Sequence, residues 1–317
     1  MQVGGIHHVT AIAGDPQANV DFYTGVLGLH LVKVTINYDD PQTYHLYYGD
    51  ERGHPGTILT FFPWPGAPRG RRGTGQVAVT AFAIPHKALG FWTRRLKAHH
   101  VEFTGPTDRF EETVLSLHDP DGLGLELVTV PGGREPGARP DAAIPAEYAI
   151  ERFRGVTMAV EGYERSAGLL TATLGGREVD SKGDRFRYAV GEANAQAFVD
   201  LRCLPSGPRG RVAVGTVHHI AWRTSDEAAH RAWRAEIARL GYDVTPIINR
   251  TYFQSIYFRE PGGVLFEIAT DLPGFAVDEP EGQLGERLTL PRWLEPRRSE
   301  VTQALSALRG PNGHQFP

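Results

Sequence analysis

The sequence predicts an α+β protein of four repeated β-α-β-β-β units, with curved mixed sheets that form barrel-like cups. Three observations carry this expectation. Ile6-His-His-Val-Thr-Ala-Ile12 matches Val217-His-His-Ile-Ala-Trp-Arg223, in each case an apolar residue, two histidines and a β-prone run. A second pair of matching strands follows, Gly56-Thr-Ile-Leu-Thr-Phe61 and Gly263-Val-Leu-Phe-Glu-Ile268, each entered behind a proline, Pro55 or Pro261. The same plan recurs more faintly twice. Gln76 to Phe82 leads to Asp119 to Leu127, and Gly155 to Val160 leads to Ala197 to Leu201.

Taken in order, each unit opens with an alternating strand, passes through a helix and closes with three β-rich runs. In the first unit Asp15 is an N-cap, Pro16 takes the first helical position, and Phe22, Tyr23, Val26 and Leu27 form the apolar face before Gly28. Tyr44 to Tyr48 and Thr57 to Phe62 are two of its later strands. In the second unit Leu89, Trp92 and Leu96 make the helical stripe. The third helix, within Tyr163 to Leu174, is weakened by Gly168. In the fourth, Thr224-Ser-Asp-Glu227 reads as a capping box ahead of Trp233, Ile237 and Leu240, and Gly241 ends the helix. The Pro/Gly-rich stretch from Pro131 to Pro140 marks the midpoint. The expected organisation is therefore an N-terminal half at 1–132, a linker at 133–149, a C-terminal half at 150–275 and a tail at 276–317. A last helix over Ser299 to Leu308 is expected to pack on the body or to form a dimer contact, which leaves room for a homo-oligomer.

Composition excludes several classes. With 317 residues the chain can bury a full core without staples, and 33 Lys+Arg against 37 Asp+Glu give a net charge of −4. Slight acidity disfavours a nucleic-acid surface, because the dense basic run is confined to Pro68-Arg-Gly-Arg-Arg72, read as a solvated loop. One cysteine, Cys203, makes neither an internal disulfide nor a cysteine-rich zinc site. No signal-like start and no membrane-length apolar run are seen, so a cytoplasmic protein is expected. The 13 histidines are generous beside two methionines.

Strand alternation sends only one histidine of each pair into a concave face. With Thr10 on the inward side, the inward residues are His8, Thr10 and Ile12 in the first unit and His219, Ala221 and Arg223 in the last. His7 and His218 fall at the rim or on the other face. Glu267 lies in the apolar strand Val264 to Ala269, where an unpaired carboxylate costs several kcal/mol, so it needs a cation. Two imidazoles and one carboxylate, His8, His219 and Glu267, are the facial donor set that suits iron(II) with open positions. Thr60 takes the place of Glu267 in the first unit, while Thr157 and Asp200 take the ligand places in the third. The first and last units must therefore meet to build one centre, and the fourth protein ligand of a saturated isomerase-type centre is missing.

These residues resemble the vicinal oxygen chelate superfamily, and within it the two-half ring-cleaving dioxygenases of hydroquinones. The resemblance covers almost the whole chain. It rests on His7-His8-Val9-Thr10, on Tyr44-His45-Leu46-Tyr47-Tyr48, on Phe62 to Gly75, on Val217-His218-His219, and on Asn249-Arg250 through Phe253, Ser255 and Tyr257 to Glu267. It implies two tandem halves, Fe(II) (or Mn(II) or another divalent metal) on His8, His219 and Glu267, and Thr10, His218, Arg250 and Tyr257 around the substrate. His218 and Tyr257 are then the catalytic pair, and Thr10 and Arg250 bind substrate. The implied partners are a small aromatic diol, hydroquinone-type or catechol-type, and O₂, with neither nucleic acid nor membrane. His45 reads as structural, and Phe22, Phe61, Tyr252 and Phe253 mainly as core. Two other readings stand beside this one. They are a glyoxalase-like metal-dependent lyase, isomerase or resistance enzyme, and a non-catalytic aromatic- or drug-binding protein.

Overall fold

The computed structural model describes residues 1–131, 144–192, 195–311 and 313–316. Of the expected linker, residues 133–143 lie outside the described residues. The first unit runs β1 (Ile6–Ala13), α1 (Pro16–Val20), β2 (His30–Asn37), β3 (Asp40–Gly49) and β4 (Ile58–Pro63). The second runs β5 (Gln76–Pro85), α2 (Leu89–Ala98), β6 (Phe103–Arg109), β7 (Glu112–His118) and β8 (Gly124–Val130). The third runs β9 (Arg152–Val160), α3 (Glu164–Gly168), β10 (Arg177–Lys182), β11 (Arg185–Val190) and β12 (Ala197–Cys203). The fourth runs β13 (Thr216–Thr224), α4 (Glu227–Arg239), β14 (Ile248–Asn249), β15 (Gln254–Arg259) and β16 (Leu265–Thr270). All four units keep the β-α-β-β-β plan.

Their local chemistry is mostly as the residues dictate. Asp15 caps α1 by accepting from the Ala18 N–H at 2.8 Å, and Pro16 stands at the helix start. The helix widens into a π-helical turn at Asp21–Val26 before Gly28 reverses the chain at φ +68°. The third unit has the same π-helical turn, at Leu169–Thr173. The capping box does not form in the fourth unit. Asp226 is the N-cap and accepts from the Ala229 N–H at 2.8 Å, because Thr224 is still paired with Thr270 in the sheet.

Two eight-stranded sheets result, and each is shared between units. The first has the order β14-β15-β16-β13-β1-β4-β3-β2, so the first and fourth units form one cup along an antiparallel β1–β13 seam. The second, β10-β11-β12-β9-β5-β8-β7-β6, joins the second and third units along β5–β9. Apolar faces of both sheets and the helix stripes, including Trp92, Trp222, Trp233 and Phe153, make a continuous core.

The tail crosses the outer strands of the first cup. Thr289 N–H donates to Val34 C=O at 2.9 Å, and Tyr44 Oη donates to Ser306 C=O at 2.8 Å. Lys33, fully buried in β2, pairs with Asp278 and Glu279. The final helix, α5 (Arg298–Ala304), is shorter than its apolar spacing predicts. Leu305 is extended, and Leu308 pairs with Phe316 in the hairpin of β17 (Leu308–Arg309) and β18 (Gln315–Phe316). Val301, Leu305 and Leu308 are buried within this chain.

Candidate metal centre and aromatic cavity

The seam between β1 and β13 brings the two histidine pairs together, since Thr10 lies opposite His219 and His8 opposite Ala221. Parallel pairing of β13 with β16 puts Glu267 beside Ala221, on the same concave face. His8, His219 and Glu267 are all buried and form the one metal-competent group among the described residues. His8 Nε2 is 3.2 Å from His219 Nε2, and Glu267 Oε2 is 2.9 Å from His219 Nε2 and 3.3 Å from His8 Nε2. Donors at about 2.1 Å from one ion in adjacent octahedral positions stand about 3.0 Å apart, so this triangle fits a divalent metal. Glu267 Oε1 accepts from Ser255 Oγ at 2.5 Å, whereas Oε2 is buried without an aligned donor. An orphaned carboxylate oxygen between two imidazole nitrogens is what a cation relieves.

Electrostatics agree with that reading. Burial acts to raise the Glu267 pKa, yet the His8 and His219 imidazoles outweigh it and hold the carboxyl well below the usual range. Burial and the neighbouring His8 lower His219, although Glu267 opposes them. Behind each Nε2 donor stands its sequence neighbour. His8 Nδ1 meets His7 Nδ1 at 2.9 Å, and His219 Nδ1 meets His218 Nδ1 at 2.8 Å. A metal on Nε2 requires the proton on Nδ1, so each ligand donates to the histidine before it and its ring is oriented by that bond.

The two leading histidines differ in where they face. His7 is buried against Phe253, while His218 lines a cavity of about 270 Å³ with His8 and His219. Burial and His219 push His218 down to about 3, which keeps it neutral. Since its Nδ1 is the acceptor, its proton sits on Nε2. The cavity wall also holds Tyr38, Asp39, Phe62, Trp64, Phe253 and Leu265. A cavity of roughly 150 Å³ holds benzene, so this space suits one substituted ring.

Arg250 and Tyr257 stand in the wall beside the triad. Arg250 Nε donates to Tyr257 Oη at 3.3 Å and its NH1 pairs with Asp39 at 3.0 Å. Burial and Glu267 raise the Tyr257 pKa against the opposing pull of Arg250, so its hydroxyl keeps its proton. The turn aiming Arg250 is tight. Thr251 adopts φ +70°, a region β-branched residues avoid, and its N–H donates to Asn249 Oδ1 at 2.7 Å.

Thr10 is fully buried and reaches the cavity only indirectly. Its Oγ1 meets Thr60 Oγ1 at 2.8 Å, Thr60 meets His45 Nε2 at 2.8 Å, and His45 Nδ1 meets Tyr47 Oη at 2.8 Å. His45, expected to be structural, and Tyr47, to which no role was assigned, both line the cavity. Sheet register supplies one in retrospect. Tyr47 pairs with Thr60 as Tyr257 pairs with Glu267, so Thr60 holds the place of the glutamate and Tyr47 that of Tyr257. Phe253 lines the cavity, whereas Phe22, Phe61 and Tyr252 are core.

Among the described residues the second cup has no such donor set. Ala81 lies opposite Gly155 and beside Glu126, as Ala221 lies opposite His8 and beside Glu267. Gly155 and Val79 therefore hold the histidine places, and Thr157 is displaced by two residues from the place its sequence suggests. A Cβ on Gly155 would lie 2.0 Å from Phe198 O, so no side chain fits there. Glu126 is instead neutralised by Arg109, at 2.9 Å and 2.5 Å.

Comparison with known proteins agrees with the geometry. The family model of the Glyoxalase/Bleomycin resistance protein/Dioxygenase superfamily matches residues 5–127 and 152–268. MhqO of Bacillus subtilis (strain 168), named as a candidate ring-cleaving dioxygenase, is 48% identical over 302 residues, covering 95% of each chain. The chlorohydroquinone/hydroquinone 1,2-dioxygenase of Sphingobium indicum is 33% identical over 313 residues, with 96% of this chain and 97% of that one covered. A crystal structure of a candidate dioxygenase from Bacillus subtilis superposes with a TM-score of 0.92 at 46% identity, covering 97% of this chain and 98% of that one. Glyoxalase I from Zea mays, at 17% identity and a TM-score of 0.63 over 84% of this chain and 92% of its own, shares the fold. The chain belongs to the Glyoxalase/Bleomycin resistance protein/Dioxygenase superfamily and is one of its ring-cleaving dioxygenases.

Proposed function

We propose that the chain is an iron(II)-dependent dioxygenase that opens the ring of hydroquinone-type dihydroxybenzenes, with Mn(II) as the nearest substitute metal. The observation that carries this reading is the triangle of His8 Nε2, His219 Nε2 and Glu267 Oε2 beside a one-ring cavity. The register puts Thr60 where a fourth protein ligand would stand, so the donor set leaves room for a ring oxygen and O₂. A bound divalent ion supplies acidification of a ring hydroxyl and activation of O₂ at the positions the protein leaves free.

The chain's own residues then divide the remaining work. His218 presents Nε2–H to the cavity and donates to an oxygen of substrate or O₂, with its other nitrogen engaged by His219. Arg250 holds a positive charge against the Tyr257 hydroxyl, so that pair stabilises an oxygen that becomes anionic. Thr10 contributes by fixing Thr60 and, through it, His45. Phe62, Trp64 and Phe253 exclude water around the ring.

Oxygen uptake tests the reading. Protein loaded with iron(II) under argon should consume one O₂ per hydroquinone and abolish the aromatic absorbance. No uptake with any di- or trihydroxybenzene overturns it.

A further inference from the structure

The four-membered chain Tyr47–His45–Thr60–Thr10 has no part in holding the metal, yet it ends at the wall of the cavity. Both His45 nitrogens are engaged inside it, Nδ1 with Tyr47 and Nε2 with Thr60, at 2.8 Å each. Thr60 and Thr10 are sealed from solvent. Of the four groups, only the Tyr47 hydroxyl keeps hydrogen-bonding capacity on the cavity side.

Every member of the chain can both donate and accept, so the chain runs in either direction. In one polarity Tyr47 donates to His45 Nδ1, His45 Nε2–H donates to Thr60, and Tyr47 offers the cavity an acceptor. In the other, Thr10 donates to Thr60, Thr60 donates to His45 Nε2, His45 Nδ1–H donates to Tyr47, and Tyr47 donates into the cavity. No net charge moves between the two. Burial holds the His45 imidazole neutral, which permits either tautomer.

Position gives the chain its partner. Tyr47 on β3 and Tyr257 on β15 are related through the β1–β13 seam and flank the cavity from opposite wings of the sheet. His218, Arg250 and Tyr257 all come from the fourth unit, whereas His45 and Tyr47 come from the first. We propose that Tyr47, set by His45, Thr60 and Thr10, is the subsite for the second ring oxygen of a para-dioxygenated benzene, accepting it as a hydroxyl or as an ether or carbonyl oxygen. This rests on the aromatic-diol reading above. It adds that the preference for a para oxygen resides in the first unit and tolerates both hydrogen-bond polarities.

Anaerobic calorimetric titration of the iron(II)-loaded protein with hydroquinone, 4-methoxyphenol and phenol tests it. Wild type should bind the two para-oxygenated rings about tenfold more tightly than phenol, the effect of one hydrogen bond. Tyr47→Phe should bring all three within about threefold, with metal content and phenol affinity retained as the sign of an intact fold. Should that variant not fold, His45→Phe cuts the chain behind the same hydroxyl and should also lower the preference. A preference unchanged in whichever variant folds overturns the subsite, as does a wild type that binds phenol as tightly as hydroquinone while consuming O₂ with hydroquinone. Absence of O₂ uptake with every dihydroxybenzene overturns the function itself, and the subsite with it.

Discussion

Replacing Glu267 by glutamine keeps the shape of the side chain and removes the only negative charge in the donor triangle. In the metal-free protein the new amide can still accept from Ser255 and can donate to an imidazole nitrogen now 2.9 Å or 3.3 Å away. Because the two imidazoles hold the Glu267 carboxyl well below its usual range, its charge stabilises the folded metal-free protein, and the amide should cost about 1–3 kcal/mol at neutral pH. Metal widens the difference. At a metal concentration of about 100 Kd, wild type gains about 2.7 kcal/mol, and at about 1.5 °C per kcal/mol for a chain of this length that raises Tm by about 4 °C. Thermal melts with and without Mn(II) at neutral pH, with metal analysis after gel filtration, read both effects. The variant should show no metal-dependent rise and no retained metal. A variant that keeps one equivalent of metal and the full rise in Tm refutes the assignment of Glu267 as a ligand.

Three further outcomes follow from the same geometry. His7, His45, His218 and His219 all fold with lowered pKa values, so the unfolded chain binds protons below about pH 6.5 that the folded chain refuses. Metal-free stability should thus be full above about pH 7 and fall by several kcal/mol toward pH 5. Asp119, pushed up to about 6 by burial, opposes one of these groups over roughly pH 4–6, and a urea midpoint that rises on acidification contradicts the scheme. Lys33→Met leaves the fully buried Glu279 with only the distant Arg287, at 3.8 Å, as a cation, and should cost about 3 kcal/mol in urea unfolding, with partial recovery on adding Glu279→Gln. Arg250→Met should raise the KM for hydroquinone at least about tenfold at unchanged metal content, and a KM within twofold of wild type argues against its contact with substrate.

The repeat was legible because two histidines in one strand are rare enough to align, and the triad was legible because Glu267 lacks a partner of its own in an apolar strand. What escaped reading has a physical cause in each case. Tyr47 and His45 sit in a run, Tyr44 to Tyr48, whose side chains are all compatible with core, so alternation alone cannot say which of them face a cavity. Their role appears only when Thr60 is set against Glu267 by strand register. The capping box at Thr224 failed because the ladder with Thr270 claims that residue, leaving Asp226 to cap. The last helix stopped at Ala304 because Leu308 is drawn into a hairpin with Phe316, a contact between distant residues that helical spacing cannot reveal.

The pairing of first with fourth unit and second with third has a consequence for the two sequence halves. A chain opened between residues 131 and 144 leaves every strand of the described residues whole, yet it parts β1 from β13 and β5 from β9, the seams of both cups. His8 then lies on one fragment and His219 and Glu267 on the other, so neither holds a metal site. Each fragment also bares two strand edges that carry the seam ladders, an arrangement prone to association. Metal binding should be absent from either fragment alone and should appear when the two are co-expressed. A C-terminal fragment that binds Mn(II) alone with the affinity of the whole chain contradicts the shared centre. That the described residues hold one such donor set follows from the same seams, because the second cup repeats the glutamate as Glu126 but meets it with Val79 and with Gly155, where no side chain fits.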